Sequence, residues 1–187
     1  MLNKRTLARV LDEALKKGGD FAEIYIEEKQ GNNIFCEDNR IEKINSGREK
    51  GAGIRVVKDG NTAYVYTNDL SSRGLCEAAA IANHAAGSKT NRQPEEIAFS
   101  LKQPTFNIEC KRLPNEVAFD EKIKHVLAAN RAARNLSDEI RQVTVAIGDM
   151  NKKVQIANSD GELAEEERCR VRMIVNTVAA REGIIQT

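Results

Sequence analysis

The residues able to do chemistry in this 187-residue chain are few and scattered. There are two histidines, His84 and His125, and neither stands in HExxH or a related zinc-binding helix. Glu121 and His125 are one helical turn apart and could share a cation, although an i, i+4 pair of this kind is ordinarily a solvated contact. The acidic run at 162–167, ELAEEE, has ligands for a hard cation, but it fits the solvated face of a strand better. Arg168, Arg170 and Arg172 alternate and so share one strand face. They could grip an anion, and Glu165 and Glu167 are their expected partners. No serine sits in a GxSxG elbow and no GxxxxGK[ST] phosphate loop is present. Gly47, Gly51 and Gly53 miss the GxGxxG spacing and lie between hairpin signals, so a dinucleotide site fails on context.

One constellation is left. Gly51, Gly53 and Arg55 fall on one face of a predicted strand, by the period of two. Glycines in a strand allow a close backbone approach, and a guanidinium offers paired donors to a carboxylate or a peptide carbonyl. These three residues are the candidate substrate-binding set: an extended peptide added to an edge strand beside them would be held by main-chain hydrogen bonds. The competing expectation is that the glycines only shape a hairpin and that Arg55 pairs with Glu42 or Glu49. No catalytic and no metal-binding residue is assigned.

The elements that must position this set are legible from periodicity. Leu7, Val10, Leu11, Ala14 and Leu15 predict an amphipathic helix over 4–17, ended by Gly18-Gly19. Alternation then predicts strands near 21–29, 33–37, 40–46, 52–58 and 61–67, with turns at 31–33, 37–40 and Asp59-Gly60. An alanine-rich helix follows to about Ala86. All three prolines fall at 94–114, where periodicity is weak. Beyond them the pattern predicts a helix to about Asn135, then strands at 140–149, 153–158 and 162–182, with turns at Asn151 and 159–161. The expected fold class is α+β: an antiparallel sheet with flanking helices, then a second, smaller α+β unit with long antiparallel strands. The expected division is a domain at 1–87, a linker at 88–114 and a domain at 115–187. The last strand runs out with an apolar end and no following partner, as in a chain that continues into further sequence.

Composition removes whole classes. The net charge of +1 argues against a dedicated nucleic-acid binder. No apolar run approaches the ~20 residues of a membrane span, so no membrane partner is expected. Cys36, Cys76, Cys110 and Cys169 lie far apart without a CxxC pair, which predicts reduced thiols and a cytoplasmic setting.

The succession GGDFAEIYIEEK, DNRIEKINSGREKGAGIRVVKDGNTAYVYTNDLSSRGL and the alanine-rich helix resembles the N-terminal region of the TldD/PmbA family, over residues 18–87. Residues 115–187 resemble its middle domain, with the TldD type slightly the nearer. The resemblance implies a zinc metalloprotease acting on unfolded peptides as a dimer of two related subunits, some members being called modulators of DNA gyrase. It implies an HExxxH helix and a further zinc ligand in a C-terminal domain. No position here matches HExxxH, so no catalytic or zinc-binding residue carries over. The expectation is the N-terminal portion of such an enzyme, inactive alone, shaping the subunit interface and the peptide path. A non-catalytic binding or scaffold module is the alternative.

Overall fold

The computed structural model describes residues 1–87, 96–102 and 110–187. In chain order these form α1 (Lys4–Leu15), β1 (Phe21–Glu37), β2 (Arg40–Lys58), β3 (Asn61–Thr67), α2 (Ser72–Ala85), β4 (Ser100–Lys102), a 3-10 turn at Pro114–Glu116, α3 (Phe119–Arg134), β5 (Ile140–Asn158), β6 (Glu162–Arg181) and β7 (Ile184–Gln186). The strand order is β3-β2-β1-β5-β6-β4, with β7 paired to β6. The β2–β3 and β6–β7 pairs are antiparallel, while β4 joins β6 in parallel. This is the α+β fold of a largely antiparallel sheet with flanking helices.

The chain condenses into two compact units, and β1, β2, β5 and β6 each pass from one into the other. The first holds 1–28, 49–107 and 153–167. Its core sets the apolar stripe of α1 (Leu7, Val10, Leu11, Ala14, Leu15) and Leu75, Ala78, Ala79 and Ala82 of α2 against Ala22, Ile24 and Ile26 of β1 and Ala52, Ile54 and Val56 of β2. Each fully buried leucine or isoleucine contributes about 1.5–3 kcal/mol. The alanines of α2 let it approach α1 closely, and Asn83 donates its side-chain amide to the carbonyl of Ala14. Both helices are capped: Asn3 Oδ1 accepts from the Thr6 N–H at 2.8 Å, and Ser71 Oγ from the Gly74 N–H at 3.1 Å.

The second unit holds 29–48, 108–152 and 168–187. Ile34, Cys36, Val126, Val143, Val145 and Ile147 form its core. Within it Lys122 Nζ of α3 lies 2.8 Å from Asp149 Oδ2 of β5, both side chains almost wholly buried. The Asn32 amide of β1 donates to Asp149 Oδ1 at 2.9 Å. Burial also pushes the Cys36 thiol pKa up, which suits an inert core residue.

Several expectations are corrected. Residues 31–33 do not turn, and β1 runs straight through them. A Cβ on Gly31 would meet the Asp149 carbonyl, and the buried Asn32 donates to the Asp149 carboxylate, so these turn-like residues serve a close contact of β1 with its neighbour β5 instead. Asn151 likewise lies inside β5, and 40–58 is a single strand. Asp38 and Asn39 (φ 46 and 64) make the hairpin turn, as do Asp59 and Gly60 (φ 48 and 78). The end of the chain is paired: Ile184–Gln186 folds back on 179–181 across Glu182-Gly183. The four cysteines are not all reduced, because Cys110 and Cys169 form a disulfide while Cys36 and Cys76 are free. Sequence spacing could not show this, since the fold brings together residues 59 positions apart. Of the expected linker at 88–114, residues 88–95 and 103–109 lie outside the described residues; within 96–102, Ile97 and Phe99 pack against the first core.

Two measurements test these anchors. Lys122→Met leaves Asp149 buried without its cation and is expected to cost about 3–5 kcal/mol in urea unfolding. The double variant Lys122→Met/Asp149→Leu should recover most of that loss; no recovery would show that the pair is not the source. Opening the Cys110–Cys169 link, by dithiothreitol or Cys169→Ser, releases a 59-residue loop and is expected to cost about 4 kcal/mol by loop entropy. An unchanged melting temperature under reductant would contradict it.

Candidate functional site

The side chains of the first unit's sheet divide by strict alternation. Ala22, Ile24 and Ile26, with Ala52, Ile54, Val56 and Ala63, face the buried side. Phe21, Glu23, Tyr25, Gly51, Gly53, Arg55, Tyr64 and Tyr66 are left on the other face, and these include every tyrosine of the chain. The candidate residues Gly51, Gly53 and Arg55 are therefore brought onto one surface by β2.

Arg55 Nε lies 2.8 Å from Glu23 Oε1 on β1, with the two side chains 40% and 31% exposed. Its partner is thus Glu23, not Glu42 or Glu49; Glu42 faces Arg40 at 3.7 Å. The guanidinium carbon stands 5.4 Å from the centroid of the Phe21 ring. A half-exposed pair of this kind contributes roughly 0.2–1 kcal/mol, so it orients the guanidinium more than it stabilises the fold. Only Nε is engaged among the described residues, leaving the terminal amino groups able to donate elsewhere.

The glycines do not lie open on an edge. β2 is flanked by β3 from Ala52↔Thr67 to Lys58↔Asn61, which places Gly53 opposite Tyr66 and Arg55 opposite Tyr64. Each tyrosine leans diagonally over the glycine two residues earlier: a Cβ on Gly51 would strike the Tyr66 ring, and one on Gly53 the Tyr64 ring. Glycine is needed here so that the rings can lie flat on the strand. Both tyrosines remain largely exposed, at 60% and 65%. Sequence reasoning missed them. Tyr-x-Tyr set two residues off Gly-x-Gly across an Asp-Gly turn was the available signal, once the register is counted back from the turn.

Asp20 ties this face together from below. Its carboxylate accepts from the Asp59 N–H at 2.6 Å and faces Lys58 Nζ at 3.4 Å, so the β2–β3 turn is held against the start of β1. The Asp59 hydrogen bond, with Lys58, holds the Asp20 carboxyl below the usual range. Asp69 is lowered in the same way by the Ser71 N–H before α2.

The other singled-out residues do not converge. Glu121 is taken by Arg112, at 2.9 and 3.0 Å, which lowers its pKa, and His84 is exposed on α2. In the acidic run, Glu162 pairs with Lys102, Glu165 accepts from Gln155 and Glu167 faces Lys153. Among the described residues no group of three or more His, Cys, Asp or Glu side chains is arranged to hold a metal ion. The donor set here does not fit zinc. No helix among the described residues is long and apolar enough to cross a membrane.

Comparison with known proteins gives this surface its context. Residues 22–86 match the family model described as PmbA/TldA metallopeptidase domain 1, and residues 112–186 match the PmbA/TldA metallopeptidase central domain. The class is thus that of metallopeptidase-family domains. The chain belongs to the PmbA/TldD family. A metalloprotease TldD homolog of Haemophilus influenzae is 22% identical over 97% of this chain and 38% of its own length. A metalloprotease of Methanothermobacter thermautotrophicus is 28% identical over 89% of this chain and 36% of its own. The chain therefore spans less than two fifths of the length of these relatives. Among solved structures, TldE of Thermococcus kodakarensis superposes with a TM-score of 0.74 at 19% identity, covering 97% of this chain and 41% of that one. A Bacteroides thetaiotaomicron protein described provisionally as a modulator of DNA gyrase gives 0.73 at 18%, covering 97% and 42%. At these identities the structural matches establish the fold.

The depressed carboxylates set an acid limit. An aspartate whose folded pKa lies below its unfolded value, about 3.9, stabilises the fold above that value and loses its contribution as pH falls through the folded pKa. Thermal stability is expected to drop as pH goes below about 4, and Asp20→Asn/Asp69→Asn should flatten the drop. Parallel melting curves of the two proteins between pH 6 and the acid limit would contradict this.

Proposed function

We propose that this chain is the part of a TldD/PmbA-type zinc metalloprotease that holds no catalytic metal, shapes the contact with a related subunit and lines the path taken by unfolded peptide. The zinc and the hydrolytic step belong to sequence outside these residues. The observation that carries the reading is the face built by Gly51, Gly53 and Arg55 with Tyr64 and Tyr66: flat aromatic rings beside an oriented guanidinium with donors to spare. Such a surface suits a main chain, because guanidinium donors meet carbonyls and ring faces accept any apolar side chain. Contact with a related subunit is supported by the second unit, where Val171, Met173 and Val175 share one face of β6 and are 60%, 42% and 45% exposed. A cytoplasmic setting is part of this reading; there Cys110–Cys169 would meet exchanging thiols.

Arg55→Ala in the complete two-subunit enzyme tests the role. The expectation is at least a tenfold loss of kcat/KM on an unfolded peptide, with melting and subunit association unchanged. If stability or assembly fails first, Arg55 is a scaffold residue and the peptide role falls. Turnover of unfolded peptide by the 187-residue chain alone would overturn the division of labour itself.

A further inference from the structure

The Cys110–Cys169 bond stands where exchanging thiols can reach it. Both cysteines are half-buried, whereas Cys36 is enclosed in the second core. Cations adjoin each of them in the chain: Lys111 and Arg112 follow Cys110, and Arg168 and Arg170 flank Cys169. The thiolate is the species that attacks and departs in exchange, and neighbouring cations stabilise it. Accessible disulfides are the ones that serve as labile or regulatory links, while enclosed ones resist reduction.

The bond is not the sole tie on the elements it joins. The Lys122–Asp149 pair holds α3 to β5, as does the Asn130 amide, which donates to the Val143 carbonyl at 3.2 Å. The Arg134 guanidinium donates to Asp38 in the β1–β2 turn. Ahead of α3, Arg112 clasps Glu121 at 2.9 and 3.0 Å, the Leu113 N–H donates to Glu116 at 3.3 Å, and Pro114 is buried. What the disulfide adds is a single fastening of the segment 110–113 to β6. From Glu165 to Asn176 every residue of β6 is exposed except Cys169, over which Cys110 is bonded. By the period of two, Cys169 begins the row that continues through Val171, Met173 and Val175. The fastened segment therefore covers the first position of that apolar row and leaves the others open.

We propose that Cys110–Cys169 is a reversible redox switch on the contact with a related subunit. Closed, it pins 110–113 over the start of the row; opened, it frees the row from Cys169 onward for the partner. This rests on the subunit-contact reading above and adds its regulation. The reductant is a dithiol. One of its thiolates attacks a sulfur of the bond, giving a mixed disulfide and a free thiolate on the other cysteine; its second thiol then displaces the first cysteine. The reductant ends as a disulfide, and Cys110 and Cys169 end as thiols carrying its two protons. Glutathione disulfide reverses the step and leaves as two glutathione molecules.

The test begins with the 187-residue chain in graded mixtures of glutathione and its disulfide, alkylated without unfolding and read by mass spectrometry. Cys110 and Cys169 are expected to gain label together in one transition, with the half-exposed free Cys76 labelled throughout as the reference. Opening should speed tryptic cleavage after Lys111 or Arg112 at least tenfold, while cleavage after Lys124 in α3 stays slow and the helix signal in circular dichroism is kept. Four free thiols in every mixture, or a bond that survives excess dithiothreitol, overturns the switch. Loss of the helix signal on reduction makes the bond a structural one and also overturns it. In the complete two-subunit enzyme, association should be at least tenfold tighter reduced than oxidised, and Cys110→Ser should hold the tight value in both buffers. Met173→Glu separates the two readings. If it breaks association but redox state has no effect on the unsubstituted enzyme, only the switch falls; if association survives Met173→Glu, the subunit-contact reading falls and the switch with it.

Discussion

The β2–β3 ladder is the constraint on which the first unit depends. Its register is fixed at one end by the Asp59-Gly60 turn and runs to Ala52↔Thr67. A slip of β3 by one residue would turn Ala63 and Val65 out to solvent and bring Tyr64 and Tyr66 onto the core face. The helices α1 and α2 hold the register from the buried side, because their leucines and alanines are shaped to that set of side chains. Everything on the open face then follows: Tyr64 and Tyr66 over Gly53 and Gly51, and Arg55 opposite Tyr64 and within reach of Glu23.

The second unit is held by different means. Its apolar core is small, and a buried Lys122–Asp149 pair, extended by Asn32, lies beside the strands. Burying two charges costs several kcal/mol each, and their mutual attraction offsets this only when the hydrogen bonds are complete. Here both carboxylate oxygens of Asp149 are engaged, one by each partner. The contribution is better read as alignment of α3 with β5 and β1 than as net stability. The Cys110–Cys169 link adds a covalent tie in the same unit.

Membership of a metallopeptidase family does not distribute the chemistry evenly along a chain. The carboxylates and histidines singled out in the sequence are spent on local ion pairs, helix surfaces and strand edges. What the first unit offers is shape and hydrogen-bonding capacity on an open sheet face.

The sequence by itself determined the α+β class, the amphipathic α1, the alanine-rich α2 and the Asp59-Gly60 hairpin, because these rest on local periodicity and turn chemistry. It also placed Gly51, Gly53 and Arg55 on one face, since alternation is a property of a single strand. Only the tertiary structure decided what covers them. That Glu23 meets Arg55, and that two tyrosines fill the space above two glycines, depends on cross-strand register. Local reading erred at 31–33 and at Asn151, where turn-forming residues were absorbed into long strands by close contact with, or burial beside, neighbouring strands. It erred again at Cys110 and Cys169, since a bond across 59 positions leaves no local trace. Such contacts join residues distant in the chain, and neither propensity nor spacing records which distant residue will arrive.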